Sequence, residues 1–405
     1  MAEGGVHSDT MRGKLRILTL NNISSLGLQR FPAEKYQTET KIDAPDAILV
    51  RSQNMHDLDV PATVKAIGRA GAGTNNIPVA RMSERGVPVF NTPGANANAV
   101  KELVLAAILI AARNLTSAVR FVESIDGNDD EIDRAVEGAK KNFAGVELPN
   151  RTLGVIGLGK IGSLVADAAI KLGMNVWGYD PSITVDAAWS LPAQVHKAHS
   201  VEELIRRCEF LTVHVPLLET TRDLIDSRRL ALLDPGAVVL NFARDGVVNN
   251  EAVLAALNAG RLKYYVCDFP SAALKNSDRV IALPHLGAST REAEDNCAVM
   301  VVDQVRDYLE HGNIRHSVNF PDVSMARESP YRLGVANSNV PNMVSQISTA
   351  VADAGLNIHN MINKSRDDMA YTLVDVDSPV PSKVIDAIST IAGVLAVRYL
   401  PLDGN

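Results

Sequence analysis

Leu153-Gly154-Val155-Ile156-Gly157-Leu158-Gly159-Lys160-Ile161-Gly162 is the stretch that decides the fold. It places a G-x-G-x-x-G directly after an apolar, β-branched run and directly before a helical pattern. A second strand-like run, Asn175-Val176-Trp177-Gly178-Tyr179, ends on Asp180, eighteen positions after the last glycine. Each part has a physical task. Gly157 permits a tight strand-to-helix turn, Gly159 lets backbone approach a pyrophosphate, and Gly162 lets the helix lie close on the sheet. The helix N-terminus offers unpaired N–H groups to phosphates. Asp180 can accept from both ribose hydroxyls and would repel a 2′-phosphate, which favours NAD over NADP. A glycine loop alone says little. With the strand before it, the helix after it and the acid at this distance, it specifies dinucleotide binding.

Working outward, strands and helices alternate from Leu15 to about Val318, the pattern of parallel sheets with covering helices. Short strands are expected at 16–20, 47–51, 65–69 and 87–91. The helix at 98–113 is apolar nearly all round, so it should be buried between domains. The acidic stretch from Glu123 to Asp133 reads as a solvated loop or helix edge. After residues 151–180 come strand-like runs at 210–215, 237–242, 264–268 and 280–283, which complete a six-stranded doubly wound sheet. The first α/β region lacks the glycine pattern and must be a separate unit. A helical stretch at 290–311 could return to it, leaving a cleft of the kind that binds small ligands. Residues 322–330 have a linker composition. Beyond them the order strand, helix, strand, strand, helix, strand forms a split βαββαβ unit without a catalytic cluster, which suggests regulation or assembly.

The expected architecture is therefore α/β. A doubly wound Rossmann-type nucleotide domain (98–290) is inserted in a second α/β substrate domain (14–97 and 291–320). A ferredoxin-like βαββαβ domain (331–405) follows. The chain has 405 residues and a net charge of −7, enough length for two or three domains and the wrong charge for a nucleic-acid surface. Its longest apolar run, Leu103 to Ala112, is ten residues, too short to span a bilayer. Residues 1–13 read as a loose tail without a signal peptide. Cys208, Cys267 and Cys297 are widely spaced and read as core residues in a reducing compartment, so a cytoplasmic location is expected. His196 and His199 lack carboxylates at ligand spacing, and no metal is expected. His7, His311 and His316 read as solvent-exposed.

Three positions carry candidate chemistry. Arg244, in Asn241-Phe242-Ala243-Arg244-Asp245-Gly246, follows a hydrophobic strand at its C-terminal tip, the ligand end of an open α/β sheet. A guanidinium there can clamp a carboxylate bidentately. His285, in Leu283-Pro284-His285-Leu286-Gly287, sits at another tip and can take a proton from a secondary alcohol. Asp268 ends the strand between them and could hold a nicotinamide carboxamide. His214 reads as lining the cofactor crevice.

Together these residues resemble the D-isomer-specific 2-hydroxyacid dehydrogenases. The resemblance rests on the Leu-Gly-Lys-Ile-Gly loop with Asp180, the Asn-x-x-Arg-x-Gly segment at 241–246, and Pro-His-Leu-Gly-Ala-Ser-Thr at 284–290. It extends to Ala70-Gly71-Ala72-Gly73-Thr74-Asn75, Val89-Phe90-Asn91-Thr92-Pro93 and Ser317-Val318-Asn319-Phe320-Pro321. The tail, with Asn339-Val340-Pro341 and Gly355-Leu356-Asn357-Ile358, resembles an ACT domain.

The resemblance implies His285 as acid/base and Arg244 as clamp. It implies substrate contacts from Arg51 (phosphate), Ser52, the Ala72 and Gly73 N–H groups, and Asn96. Cofactor contacts would come from Gly157, Gly159, Lys160, Ile161, Gly162, Asp180, His214, Pro216, Ala243, Asp268 and Gly287. Asn339 and Asn357 would hold an L-serine effector. The implied reaction is NAD-dependent oxidation of D-3-phosphoglycerate to 3-phosphohydroxypyruvate, which opens phosphorylated serine synthesis. A glyoxylate or hydroxypyruvate reductase, or a nucleotide-sensing scaffold, are the alternatives. A homodimer or homotetramer is expected, without a nucleic-acid or membrane partner. Two departures stand out. The family's catalytic Glu is absent from Asp268-Phe269-Pro270-Ser271-Ala272-Ala273, so another carboxylate, or Lys101, would have to compensate. The tail's usual Pro-Gly turn is Pro341-Asn342.

Overall fold

The computed structural model describes residues 13–402, so His7 and most of the expected N-terminal tail lie outside the described residues. Contacts divide the chain into two compact units. One runs to Ala95 and resumes at Glu294; the other is Asn96–Ala293.

The first unit opens with β1 (Leu15–Leu20), β2 (Tyr36–Glu39), β3 (Ala47–Val50), β4 (Ala66–Arg69) and β5 (Val89–Phe90), paired in parallel in the order β2-β1-β3-β4-β5. The central β3, Ala-Ile-Leu-Val, is buried throughout, as a parallel strand covered on both faces must be. β2 is absent from the sequence expectation. It is an edge strand that buries only Tyr36 and exposes Gln37, Thr38 and Glu39, so it has no hydrophobic run to find.

The second unit begins with α1 (Ala97–Ala112). Val104, Ala107, Ile108, Ala111 and Ala112 share one core with Leu153, Val155, Phe210 and Val238 of the sheet beneath. The helix is not buried all round as expected: Leu109 is exposed. The acidic stretch after it helps to start a helix, Asp129–Ala139. Asn128 and Glu131 form a capping box there, and Asp129, Asp130 and Glu131 sit against the positive end of the helix dipole. The sheet contains β6 (Thr152–Ile156), β7 (Asn175–Tyr179), β8 (His196–Lys197), β9 (Phe210–Val213), β10 (Ala237–Asn241), β11 (Leu262–Cys267) and β12 (Val280–Ala282). All pair in parallel, in the order β12-β11-β10-β9-β6-β7-β8. There are seven strands rather than six. The extra strand, β8, is two exposed residues at the edge, inside what reads as a polar connection. The order reverses between β6 and β9, the switch point where ligands of such sheets bind. α2 (Lys160–Lys171) follows β6.

The chain returns to the first unit along α3 (Arg291–His311). Residues 322–330 are packed, not a free linker: Val323, Met325 and Ser329 are buried, and Val323 bridges Ile314. Then come β13 (Tyr331–Ser338), α4 (Met343–Asp353), β14 (Ile358–Arg366), β15 (Met369–Val376), α5 (Ser382–Ser389) and β16 (Val394–Pro401). The sheet is antiparallel in the order β14-β15-β13-β16. One face packs on α4 and α5 through Leu333, Val335, Ile347, Val374 and Ile388. On the other, Ala336, Tyr371 and Leu373 join Phe90, Tyr308 and Phe320 in the core of the first sheet. The C-terminal sheet therefore groups with the N-terminal one instead of standing apart.

Arginines secure that junction. The last four carbonyls of a helix have no partner within it. Here Arg398 donates to Tyr308 and Leu309, Arg327 to Glu310, and Arg332 to His311. Arg332 is fully buried. It pairs with Asp375 through bonds of 2.6 and 2.8 Å and also donates to the Met325 and Ala326 carbonyls. His311, expected on the surface, is half-buried at this junction.

Candidate active site

The glycine loop leaves the end of β6 and enters α2. Gly157 has φ +89°, and a Cβ there would lie 2.6 Å from the His214 carbonyl oxygen. At Gly162 a Cβ would fall 1.9 Å from the Gly157 oxygen, so only glycine allows the helix to approach this closely. Gly159, the α2 N-cap, faces open space. A pyrophosphate fits such a cradle: room in front of Gly159 and unpaired N–H groups at the first turn of α2, where Lys160 and Ile161 begin the helix. Asp180, past β7, accepts from the Leu158 N–H with one carboxylate oxygen and from the Ser182 N–H with the other, both at 2.9 Å. It holds the glycine loop and keeps lone pairs for ribose hydroxyls.

Four more side chains leave the same sheet edge. His214 follows β9. Its Nε2 lies 3.0 Å from Thr212 Oγ1, its Nδ1 is buried without a partner, and burial pushes its pKa down to about 4. The ring is neutral near pH 7 and is no proton source there. Pro216 follows it, exposed. An unfolded histidine titrates near 6.5, so between pH 6.5 and 4 the unfolded chain binds the proton that the folded one refuses. Stability is therefore full above pH 6.5 and falls on acidification. At pH 5 the expected cost is about 2 kcal/mol. Urea midpoints at pH 7.5 and 5.0 check it: His214→Gln should flatten the difference, and an identical slope in the variant would contradict it.

Arg244 lies three residues beyond β10, exposed. Buried Asn241 shapes its loop, donating to the Arg244 carbonyl at 3.0 Å and accepting from the Ala243 N–H at 3.1 Å. Arg244 Nη1 donates to the Ala243 carbonyl at 2.7 Å. His285, three residues beyond β12, is exposed in the left-handed region at φ +58°, a strained conformation for a non-glycine residue. Asp268, between them after β11, is 2% exposed, and its two oxygens accept from the Leu286 and Gly287 N–H groups, each at 2.7 Å. Asp268 thus clamps the loop that carries His285, a task its sequence position does not reveal.

In the first unit, Arg51 and Ser52 follow β3. Ser52 N–H donates to Asn21, and Arg51 Nη2 donates to Glu294 at 2.5 Å. Gly71, Ala72 and Gly73 follow β4. Asn91 donates to the Ala72 carbonyl at 2.6 Å, and Thr92 N–H to the Gly71 carbonyl at 3.1 Å. No hydrogen bond among the described residues uses the Ala72 or Gly73 N–H, so both remain for a ligand anion. Arg69 ends β4 in register with Val50, and its guanidinium lies over Gly71. Sequence reasoning missed it, although a cation at a strand tip beside a glycine turn is the signal that found Arg244. Asn96, the N-cap of α1 in the second unit, makes no side-chain cap bond.

A family profile described as D-isomer specific 2-hydroxyacid dehydrogenase, NAD binding domain, matches residues 105–287. The chain is 32% identical over 347 residues to the D-3-phosphoglycerate dehydrogenase of Haemophilus influenzae, an alignment covering 83% of this chain and 81% of that one. The chain belongs to the D-isomer-specific 2-hydroxyacid dehydrogenases. It is also 35% identical over 329 residues, 78% of its length, to the D-3-phosphoglycerate dehydrogenase of Methanocaldococcus jannaschii, and spans 59% of that longer relative. The NAD+-bound 3-phosphoglycerate dehydrogenase of Entamoeba histolytica shares the fold, with a TM-score of 0.58 and 23% identity over 76% of this chain and 99% of that one.

In this chain the segment without the family's Glu brings Phe269 edge-on to His285, ring centroids 5.3 Å apart. Among the described residues no carboxylate bonds the His285 ring, and Lys101 pairs instead with Glu102 at 3.6 Å. At the C-terminal sheet, Asn337, Asn339, Asn342, Ser345 and Asn363 line a cavity of about 150 Å³. Asn342 takes φ +67°, the backbone a glycine would supply. Asn357 is not in that lining; it is exposed, and its N–H donates to Asp377.

Proposed function

We propose that this dehydrogenase oxidises D-3-phosphoglycerate to 3-phosphohydroxypyruvate with NAD, at the start of phosphorylated serine synthesis. One observation carries the reading: Arg244, Asp268 and His285 leave three adjacent strands, β10, β11 and β12, on the sheet edge that bears the glycine cradle. NAD, when bound, supplies a hydride acceptor. Gly157, Gly159, Lys160, Ile161, Gly162, Asp180, His214, Pro216, Ala243, Asp268 and Gly287 are assigned to hold it. The chain's own groups do the rest. An imidazole nitrogen of His285 takes the C2 hydroxyl proton as the C2–H bond breaks. Arg244 favours the developing carbonyl and holds the carboxylate. Ala72 and Gly73 offer N–H groups to the carboxylate, and Ser52 and Asn96 assist in orientation. Arg51 and Arg69 bind the phosphate, so that binding energy remote from C2 orients the reacting atoms.

The assay that tests this follows NADH consumption with 3-phosphohydroxypyruvate and, separately, with unphosphorylated hydroxypyruvate or glyoxylate. A clear preference for the phosphorylated compound supports the reading. Preference for the others favours a reductase, and no turnover favours a nucleotide-sensing scaffold. Arg51→Ala should raise KM for the phosphorylated substrate at least about tenfold, with a much smaller effect on hydroxypyruvate. An unaffected KM would place the phosphate elsewhere.

The tail is assigned as an ACT-type regulatory domain, with L-serine as effector at the asparagine-lined cavity through Asn339. Asn357 belongs to that assignment only by resemblance. A homodimer or homotetramer fits the open face of α1 and its neighbours, where Leu109, Leu115, Val119 and Val122 are exposed. The cytoplasm suits buried free cysteines. No single helix among the described residues is long and apolar enough to cross a membrane.

A further inference from the structure

Arg51 does not meet a phosphate as an isolated cation. Its Nη2 is held by Glu294 Oε1 at 2.5 Å, with the two side chains 37% and 42% exposed. Glu294 lies in the N-terminal part of α3, and Arg51 follows β3. Arg69 comes from β4, the neighbouring strand, in register with the residue before Arg51. All three charges act electrostatically on one side chain of α3, Cys297. Buried Cys297, three residues along α3 from Glu294, has its thiol pKa raised chiefly by burial. The charges of Arg69 and Arg51 act to lower it, while Glu294 acts to raise it. Two guanidinium groups and one carboxylate thus act on the surroundings of that thiol.

We propose that Glu294 is the specificity-determining residue of this anion pocket, the counter-charge that sets how strongly a phosphorylated substrate is preferred over an unphosphorylated one. The proposal rests on the reading of Arg51 and Arg69 as the phosphate clamp. Glu294 engages one of the five guanidinium N–H donors and leaves the remaining ones for a bidentate phosphate contact. It fixes the plane of the guanidinium before substrate arrives, which reduces the ordering cost of binding. Its negative charge does the opposite to a phosphate monoester, which carries about −1.5 to −2 near pH 7. The Glu294 carboxylate beside Arg51 offsets positive charge that the guanidinium would otherwise offer to an anion. The two effects belong to different parts of the side chain. The oxygen that accepts from Arg51 survives in glutamine; the charge does not.

Glu294→Gln should therefore tighten phosphorylated ligands selectively. In the full-length protein, kcat/KM is measured with NADH for 3-phosphohydroxypyruvate and for hydroxypyruvate. The ratio of the two should rise at least about threefold in E294Q, through a lower KM for the phosphorylated compound. Calorimetric affinity for D-3-phosphoglycerate without added cofactor should tighten by a similar factor. Unchanged thermal denaturation of E294Q shows that the fold is intact. A ratio that stays the same or falls overturns the proposal. Arg51→Ala distinguishes the two levels of failure. If R51A loses phosphate preference while E294Q matches wild type, the role of Glu294 is wrong and the clamp stands. If R51A keeps the preference, the clamp itself is wrong, and the proposal falls with it.

Discussion

His285→Ala is expected to lower turnover at least about a hundredfold while leaving NAD affinity nearly unchanged. The ring is exposed beyond β12, and its loop is held from behind by the Asp268 carboxylate through the backbone of Leu286 and Gly287. Shortening the side chain removes the proton acceptor and leaves those two hydrogen bonds in place, so the loop and the glycine cradle should keep their shape. His214, the other histidine on this sheet edge, cannot substitute, because burial keeps it neutral down to about pH 4 and its Nε2 is engaged with Thr212. Steady-state kinetics together with fluorescence titration of NADH separate the two effects. Turnover within a few-fold of wild type would remove His285 from the mechanism.

Asp375→Ala is expected to destabilise the first unit by about 3–5 kcal/mol, the usual cost of stranding one member of a buried ion pair. Arg332 and Asp375 are both fully inaccessible and share two hydrogen bonds. A guanidinium cannot escape by losing its proton. Without the carboxylate, Arg332 retains the carbonyls of His311, Met325 and Ala326, which satisfy its donors without balancing its charge. The C-terminal sheet and the end of α3 should loosen together, because the same arginine serves both. Urea denaturation read by hydrogen exchange at β13 and at α3 measures this. A loss below about 1 kcal/mol would show that the three carbonyls suffice.

Much of this was legible in the sequence because the relevant rules act locally. A G-x-G-x-x-G must turn a strand into a helix, and the 1.9 Å approach at Gly162 shows why no other residue serves. Arg244 and His285 could be placed at strand tips because hydrophobic runs end just before them. β2 and β8 escaped because edge strands need not be apolar, and β8 is only two residues long. The packing of the C-terminal sheet on Tyr308 and Phe90 was also hidden. It depends on Arg332 and Arg398 reaching helix carbonyls more than twenty residues away in sequence, and no period or spacing encodes that. Glu294 was invisible for the same reason: an acid near a helix N-terminus reads as a dipole partner until Arg51 is seen beside it.

The most direct measurement is a crystal structure with NADH and a non-reacting 2-oxo acid analogue bound. The account predicts the His285 ring and the Arg244 guanidinium in hydrogen-bond contact with the ligand's C2 oxygen and carboxylate, roughly 3 Å away. Finding both side chains more than about 10 Å from the nicotinamide C4 in that ternary complex would contradict it.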